Sequence, residues 1–359
     1  MTNQVFKSQG QTPSEQYLAK LCQKSFLSLW SYPNLFNDKG RSGGKGMGQE
    51  LCDLLVVFDK HVIIFSDKSC NFPAGNIDLA WKRWYKSSIE KSAEQVFGAE
   101  RWIKKFPDRI YLDSLCTTKL PLPLPNANEI KIHRVIIALN AGGPVRKYFN
   151  SKSGSLVLKP YLVKDEPINK DFPGYIPFCT GQINPEKGYV HIFDDESLDI
   201  VLNELDTISD FVTYLEKKEK FILSGKFAYA AGEEDVLAFY LRNLEDKEAR
   251  EFDFPMTDEP KTFYAIDEGM WEKLKSHPQY VARNEINKVS YIWDDLIEFF
   301  NKHFLEQTLI MEGKGAEQYY IKAVQRMASE SRFYRRYLAQ SLVEFLKKYP
   351  EGYKAVRTV

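Results

Sequence analysis

The chain has 359 residues, 43% of them hydrophobic and 14% aromatic, enough for a substantial core and more than one ordinary domain. Lys plus Arg and Asp plus Glu both number 49, so the formal net charge is zero, which argues against a protein coated in nucleic acid and leaves room for a local basic groove. Five scattered cysteines with no C-x-x-C pair exclude a disulfide framework and a cysteine zinc site, and the five histidines show no H-x-H or H-E-x-x-H spacing.

The amino terminus, MTNQVFKSQGQTPSEQ, has no apolar h-region, and no apolar run reaches the roughly 18 residues a membrane span needs, so a cytoplasmic protein with no membrane partner is expected. Residues 14–30 place Tyr17, Leu18, Leu21, Phe26 and Leu29 at helical spacing behind Ser14 as cap. GRSGGKGMG (40–48), with five glycines in nine residues, is a loop. Gly46 follows Lys45 where a phosphate-binding loop needs Ser or Thr and then a helix, so nucleotide binding is not expected there. The apolar runs Leu51–Phe58 and His61–Phe65, split only by Asp59-Lys60, form a hairpin.

From Asp78 to Phe106 the pattern is helical, with Tyr85, Ile89, Ala93, Val96 and Ile103 as the inner stripe. Strands follow at 109–116 and 132–140, joined by the proline-rich LPLPLPNANE, and then at SLVLKPYLV (155–163) and GYVHIFD (188–194). Short helices are expected at Ser197–Leu205, Ser209–Leu223 and Glu233–Leu244, the acids at their starts favouring the positive end of the helix dipole. His133 and His191 are lone strand histidines, satisfied or half-exposed.

DFPMTDEPKTF (253–263) marks a boundary, residues 266–349 read as helical throughout, and YKAVRTV (353–359) opens what could be another strand. The fold class is therefore α/β, a mixed sheet flanked by helices with a helical C-terminal extension. Its three regions are a core over 1–150, a mixed α/β extension over 151–252 and a helical region over 253–359. In the last helix Arg332, Arg335 and Arg336 fall on one side, open to phosphate contact or, more plainly, a solvated or subunit-facing surface, and Arg326 joins this basic, aromatic segment.

The stretch with chemical content is GQELCDLLVVFDKHVIIFSDKSC (48–70). Asp53 lies between Cys52 and Leu54 inside an apolar run, and a carboxylate on a buried strand needs a partner, a metal or a raised pKa. Solvated acids and lysines at strand ends are the plainer alternative.

From Ser14 to Asn140 this pattern resembles the PD-(D/E)XK, or restriction-endonuclease-like, nucleases. In that superfamily a sheet flanked by helices carries an Asp on one strand and an acidic-x-Lys triplet on the next, often joined by an acid from the preceding helix or strand start. The resemblance implies Asp53 as the strand aspartate, Lys68 as the triplet lysine beside the attacking water, Glu50 as an additional carboxylate and Asp67 as a third acid. Asp53, Asp67 and Lys68 would be catalytic, with Glu50, Asp53 and Asp67 holding Mg²⁺ or Mn²⁺ through oxygen ligands.

Two departures stand out. Ser66 occupies the acidic position of the triplet, and Ser66 and Lys68 share a face while Asp67 points to the other, so only a bulge between 65 and 68, or a strand break at Ser66, would bring Asp67 beside Lys68. Residues 31–47 show no apolar alternation to supply a first strand. The following helix interleaves Trp81, Trp84 and Tyr85 with Lys82, Arg83 and Lys86, a mixture able to grip phosphates and stack bases or, alternatively, a core stripe with a solvated face. Gln95 is its candidate polar residue near the metal. The functional expectation is a metal-dependent nuclease of bacterial defence or DNA processing. The alternative is an inactive nuclease-like module that binds nucleic acid, or a partner protein through the helical extension.

Overall fold

The computed structural model describes residues 5–41, 45–243, 251–252, 263–309, 312–313 and 315–349. Helix α1 (Pro13–Phe26) buries Leu18, Leu21, Cys22 and Phe26, and its cap is Thr12 rather than Ser14. Pro13, which has no N–H to satisfy, takes the first helical position.

A six-stranded mixed sheet follows from strands β1 (Ser31–Asn37), β2 (Gln49–Phe58), β3 (His61–Lys68), β4 (Ile110–Tyr111), β5 (Lys131–Ala138) and β8 (His191–Phe193), in the order β4-β1-β2-β3-β5-β8. β1, β2 and β3 form an antiparallel meander, and β5 and β8 add in parallel. The 59–60 hairpin forms as expected, with Asp59 at φ 51° in the turn.

The first strand, expected to be missing, is present. All of β1 except Phe36 is buried, so no polar residue alternates with the apolar ones to mark it in the sequence. Pro33 is tolerated because β4 pairs only with Phe36 and Asn37, leaving an edge beside the proline. The strand expected over 109–116 shortens to Ile110–Tyr111.

Between β3 and β5 runs a long helical crossover of α2 (Ile77–Tyr85), a π turn (Lys86–Glu90) and α3 (Lys91–Lys105). α3 packs on β2, β3 and β5. The opposite face is covered by α1 and by α6 (Ile208–Ile222), where Phe65 meets Phe26 at 6.3 Å and Phe211 at 6.4 Å between ring centroids.

A smaller mixed sheet, β10-β9-β6-β7, consists of β6 (Val157–Val163), β7 (Cys179–Gln182), β9 (Phe227–Ala230) and β10 (Tyr264–Ile266). Helices α4 (Gly142–Phe149), α5 (Ser197–Glu204), α7 (Glu233–Leu241) and α8 (Met270–Lys275) connect or cover these strands. The larger sheet takes its last strand from residues past 150. The expected boundary at 253–263 falls almost wholly, and the expected strand at 353–359 wholly, outside the described residues, as do Ser42–Gly44 of the glycine loop.

The C-terminal region is helical, with α9 (Pro278–Asn287), α10 (Tyr291–Leu305), α11 (Ala316–Ala328) and α12 (Arg332–Lys348). The α10 residue Glu298 accepts hydrogen bonds from Ser28 N and Oγ, both at 2.5 Å, which ties this region to the turn before β1. The arginine stripe of α12 faces inward. Arg332 pairs with Asp206 and Asp294 at 2.8 Å each, Arg335 with Asp294 at 2.7 Å, and Arg336 lies over the Phe333 and Tyr337 rings. The i, i+3, i+4 spacing does put the three arginines on one face. That face meets buried carboxylates rather than phosphate or solvent, which spacing alone does not reveal. Arg326 does stay exposed.

The acids at the starts of α5 and α7 also bind neighbouring segments. Asp194 accepts from Leu156 N at 2.7 Å, Glu234 from the Ser153 and Ser155 hydroxyls, and Glu233 pairs with Lys218.

Candidate functional site

The sequence places one carboxylate in the middle of an apolar strand, and the structure gives it three partners. Leu54 pairs with Phe65 across the hairpin, so by alternation Asp53 stands opposite Ser66 on the α3 face. Lys68 Nζ, two residues further along that face, lies 3.9 Å from Asp53 Oδ2. Gln95 of α3 closes the group. Its Oε1 accepts from Ser66 Oγ at 2.7 Å and its Nε2 approaches Asp53 Oδ1 at 3.4 Å. The Asp67 backbone N–H donates to Asp53 Oδ2 at 2.6 Å. Asp53 is 3% exposed, whereas the Lys68 side chain is 34% exposed, so the group opens to solvent through the lysine.

Burial raises the Asp53 pKa above the usual aspartate value. Lys68, the Asp67 N–H and Gln95 offset part of that, and Glu15 adds to it by repulsion.

Three further acids gather at the same end of the sheet, on the α1 face or its edge. Glu50, on the side of β2 opposite Asp53, accepts from Asn34 Nδ2 at 3.2 Å, and the same amide nitrogen donates to Glu15 at 2.8 Å. Burial, then Asp53, raises the Glu50 pKa. Glu15 is lowered: burial raises it, but the bonds from Asn34, Gln11 N and Thr12 outweigh that.

The β3–β5 pairing is unbroken through Lys68, with no bulge at 65–68, and Asp67 accordingly faces α1 while Ser66 and Lys68 face α3. Neither Asp67 carboxylate oxygen has a hydrogen-bond partner at bonding geometry. Its pKa is pushed up to about 6 by burial, with the Ser14 hydroxyl of α1 holding it somewhat lower and Asp53 and Glu15 raising it further.

The structure thus brings Asp53 and Lys68 together with Gln95, and sets Glu50 and Asp67 on the opposite face of the same inner strands. The donor set is entirely hard oxygen, and Asp67 brings buried oxygens with only the Ser14 hydroxyl near them, which suits a hard divalent cation. Three carboxylates do not converge as tightly here as the single close grouping among the described residues, His61, His133 and Glu216, whose ligand atoms lie within 4.8 Å of one another at the far end of the strands. His133 is therefore not a lone histidine. His191 is fully buried with Nδ1 unpartnered, rather than satisfied.

Lys82, Arg83 and Lys86 are exposed on the outer side of α2 and the π turn. Trp81, Trp84 and Tyr85 are buried, so they are core and cannot stack bases. Trp84 Nε1 donates to Cys70 O at 3.0 Å, two residues past Lys68, which packs the buried side of α2 near the end of β3 and leaves the basic residues on its outer side.

Two members of the group were missed by sequence reasoning. Glu15 had a signal, since T-P-S-E places it three residues after a capping Thr12, as in a capping box. Asn34 had none, because it sits at φ 48° in a strand without alternation.

Gly48, just before β2, shows why the glycine loop ends as it does. A Cβ there would stand 2.5 Å from both Asn37 O and Cys116 Sγ. Comparison of the chain with protein-family models, curated proteins and solved structures found no match.

Proposed function

We propose that this chain is a metal-dependent nuclease with a restriction-endonuclease-like core, hydrolysing phosphodiester bonds of nucleic acid. The observation that carries this reading is the Lys68–Asp53 pair on adjacent strands, 3.9 Å apart and held by Gln95 from the following helix. The order helix, three-stranded meander, helix, parallel strand supports it, and so does the presence of β1.

Asp53 would hold Mg²⁺ or Mn²⁺, with Glu50 and Asp67 adding negative charge from the other face of the strands, and the ion when bound supplies a Lewis acid for the phosphate and an acidified water. Lys68 offsets charge developing on the phosphate and orients the attacking water. Gln95 fixes the rotamer of Asp53 and so its lone-pair direction. Lys82, Arg83 and Lys86 offer phosphate contacts that position the strand without reading bases. The five cysteines are unpaired and no described helix is long and apolar enough to cross a membrane, both compatible with a cytoplasmic setting.

A second reading, an inactive module that binds nucleic acid or a protein, is favoured by one observation. Ser66 stands where the resembled family has an acid, and Asp67 faces the other way.

Labelled single- and double-stranded DNA and RNA, incubated with Mg²⁺ or Mn²⁺, separate the two. Cutting by the native protein, lost in Asp53→Asn and Lys68→Ala with thermal unfolding intact, is expected of a nuclease. Retention of nucleic acid without cutting, unaffected by either substitution, would replace it with the binding module. Ser66→Asp restores a carboxylate on the Asp53–Lys68 face, and raised cutting in that variant is expected of a weakened site.

A further inference from the structure

At the other end of β3, roughly 20 Å from Lys68 by strand rise, a different set of donors meets. His61 opens β3 right after the hairpin turn, His133 lies on β5 and Glu216 on α6, so all three stand on the face that α6 covers. His61 Nδ1 and His133 Nε2 are 3.0 Å apart, and their rings lie 19° from parallel with centroids 5.3 Å apart. All three ligand atoms fall within 4.8 Å of one another.

We propose that His61, His133 and Glu216 form a Zn²⁺ site that clamps the hairpin turn, the parallel strand and α6 together. The geometry fits. With Zn–N distances of about 2.0–2.1 Å, adjacent nitrogens of a tetrahedral site stand about 3.3–3.4 Å apart, so the observed pair needs to open by only about 0.3–0.4 Å. Two imidazoles and one carboxylate select a borderline metal over Mg²⁺, which prefers oxygen alone. Burial lowers His61 and takes His133 down to about 4, a direction that disfavours the charged imidazolium. Burial raises the Glu216 carboxyl, and the Lys131 ammonium beside it outweighs this and lowers it.

His61 and Glu216 are partly exposed, so the metal can enter and a water can complete four ligands. Lys131 Nζ, 2.6 Å from a Glu216 oxygen, competes with the metal. Its side chain is 47% exposed and can release to solvent. The metal-free alternative is one N–H···N hydrogen bond between two neutral imidazoles, a pair that would need no ion.

The test uses the full chain after chelator treatment, titrated with Zn²⁺ and with Co²⁺ as a spectroscopic substitute. One equivalent is expected to bind, with a rise in unfolding temperature and a four-coordinate Co²⁺ spectrum free of thiolate charge transfer. His61→Ala and Glu216→Gln should each weaken binding by at least about tenfold, and Lys131→Gln should tighten it. Absence of stoichiometric binding, a thiolate spectrum, or affinity unchanged in both ligand variants would overturn the site. The site rests on no part of the nuclease reading, and failure of cutting leaves it untouched.

Discussion

Asp67 is the most costly side chain in the candidate site, and its cost can be measured. Its carboxyl is 5% exposed, no donor but the nearby Ser14 hydroxyl approaches it, and its pKa rises from 3.8 to about 6. The unfolded chain therefore ionises first, and folding stability falls as pH rises from below 4 to above 6. A shift of about 2 units is worth about 3 kcal/mol once both states are ionised. The linkage relation puts the cost at about 0.5 kcal/mol near pH 4 and about 3 kcal/mol near pH 8. Asp67→Asn keeps the shape and removes the charge. In EDTA it should stabilise the protein by about 2–3 kcal/mol near pH 8, less any cost of the unpaired amide, and the gain should shrink by about 2.5 kcal/mol near pH 4. Urea unfolding of both proteins at the two pH values reads this as a double difference, in which the other titrating acids cancel. A gain independent of pH, or a loss at pH 8, would mean that the Ser14 hydroxyl or another donor satisfies the ionised carboxylate. If Asp67 serves the proposed cation, Mg²⁺ added at pH 8 should stabilise the native protein and leave Asp67→Asn unmoved.

In the C-terminal region Asp294→Ala leaves Arg332 and Arg335 buried with less charge than they need, and a loss of about 3–5 kcal/mol in urea unfolding is expected. A loss below about 1 kcal/mol would show that water reaches the pair. Gln95→Ala removes a hydrogen bond that lowers the Asp53 pKa, so the acid limb of the pH–cutting profile should move to higher pH. An unmoved limb would take Asp53 out of the titration. Replacing Lys82, Arg83 and Lys86 with Gln should weaken nucleic-acid binding and flatten its log–log salt dependence by up to about 3 units of slope, whereas Trp81→Ala should cost about 3–5 kcal/mol of stability. A binding loss with Trp81→Ala in a protein still fully folded would contradict its assignment to the core.

Much of the fold was legible because local patterns carry it. The 51–58 and 61–65 runs with a two-residue break, and the helical stripes of α1, α3, α5 and α6, form elements within a few residues of where the patterns put them. What failed did so where burial erases periodicity. β1 is buried on both faces, so its side chains show no alternation, and Asn34, which bridges two acids from within it, went unseen with it. The Asp53–Lys68 proximity was readable because a hairpin turns sequence separation into register. The His61–His133–Glu216 group was not, because its members lie 72 and 83 residues apart and meet only through parallel strand pairing and a helix packed across it. The α12 arginines fail for a related reason: spacing defines a helical face but not what that face packs against.

The two ends of β3 are linked by the chemistry of their donors. One end offers carboxylates and a lysine, a set that favours a small hard cation and an incoming phosphate; the other offers imidazoles with a single carboxylate, a set that favours zinc. Strand direction makes the separation. In β3 and β5, which run parallel, both histidines fall near the strand starts and the acids near the β3 end, so neither set can borrow ligands from the other. On the two proposals together, metal effects should divide by ion: Mg²⁺ or Mn²⁺ should govern cutting with little gain in unfolding temperature beyond the relief at Asp67, and Zn²⁺ should govern unfolding temperature without supporting cutting. A single ion that moved both properties, with both responses abolished by His61→Ala, would mean that the two ends act as one site.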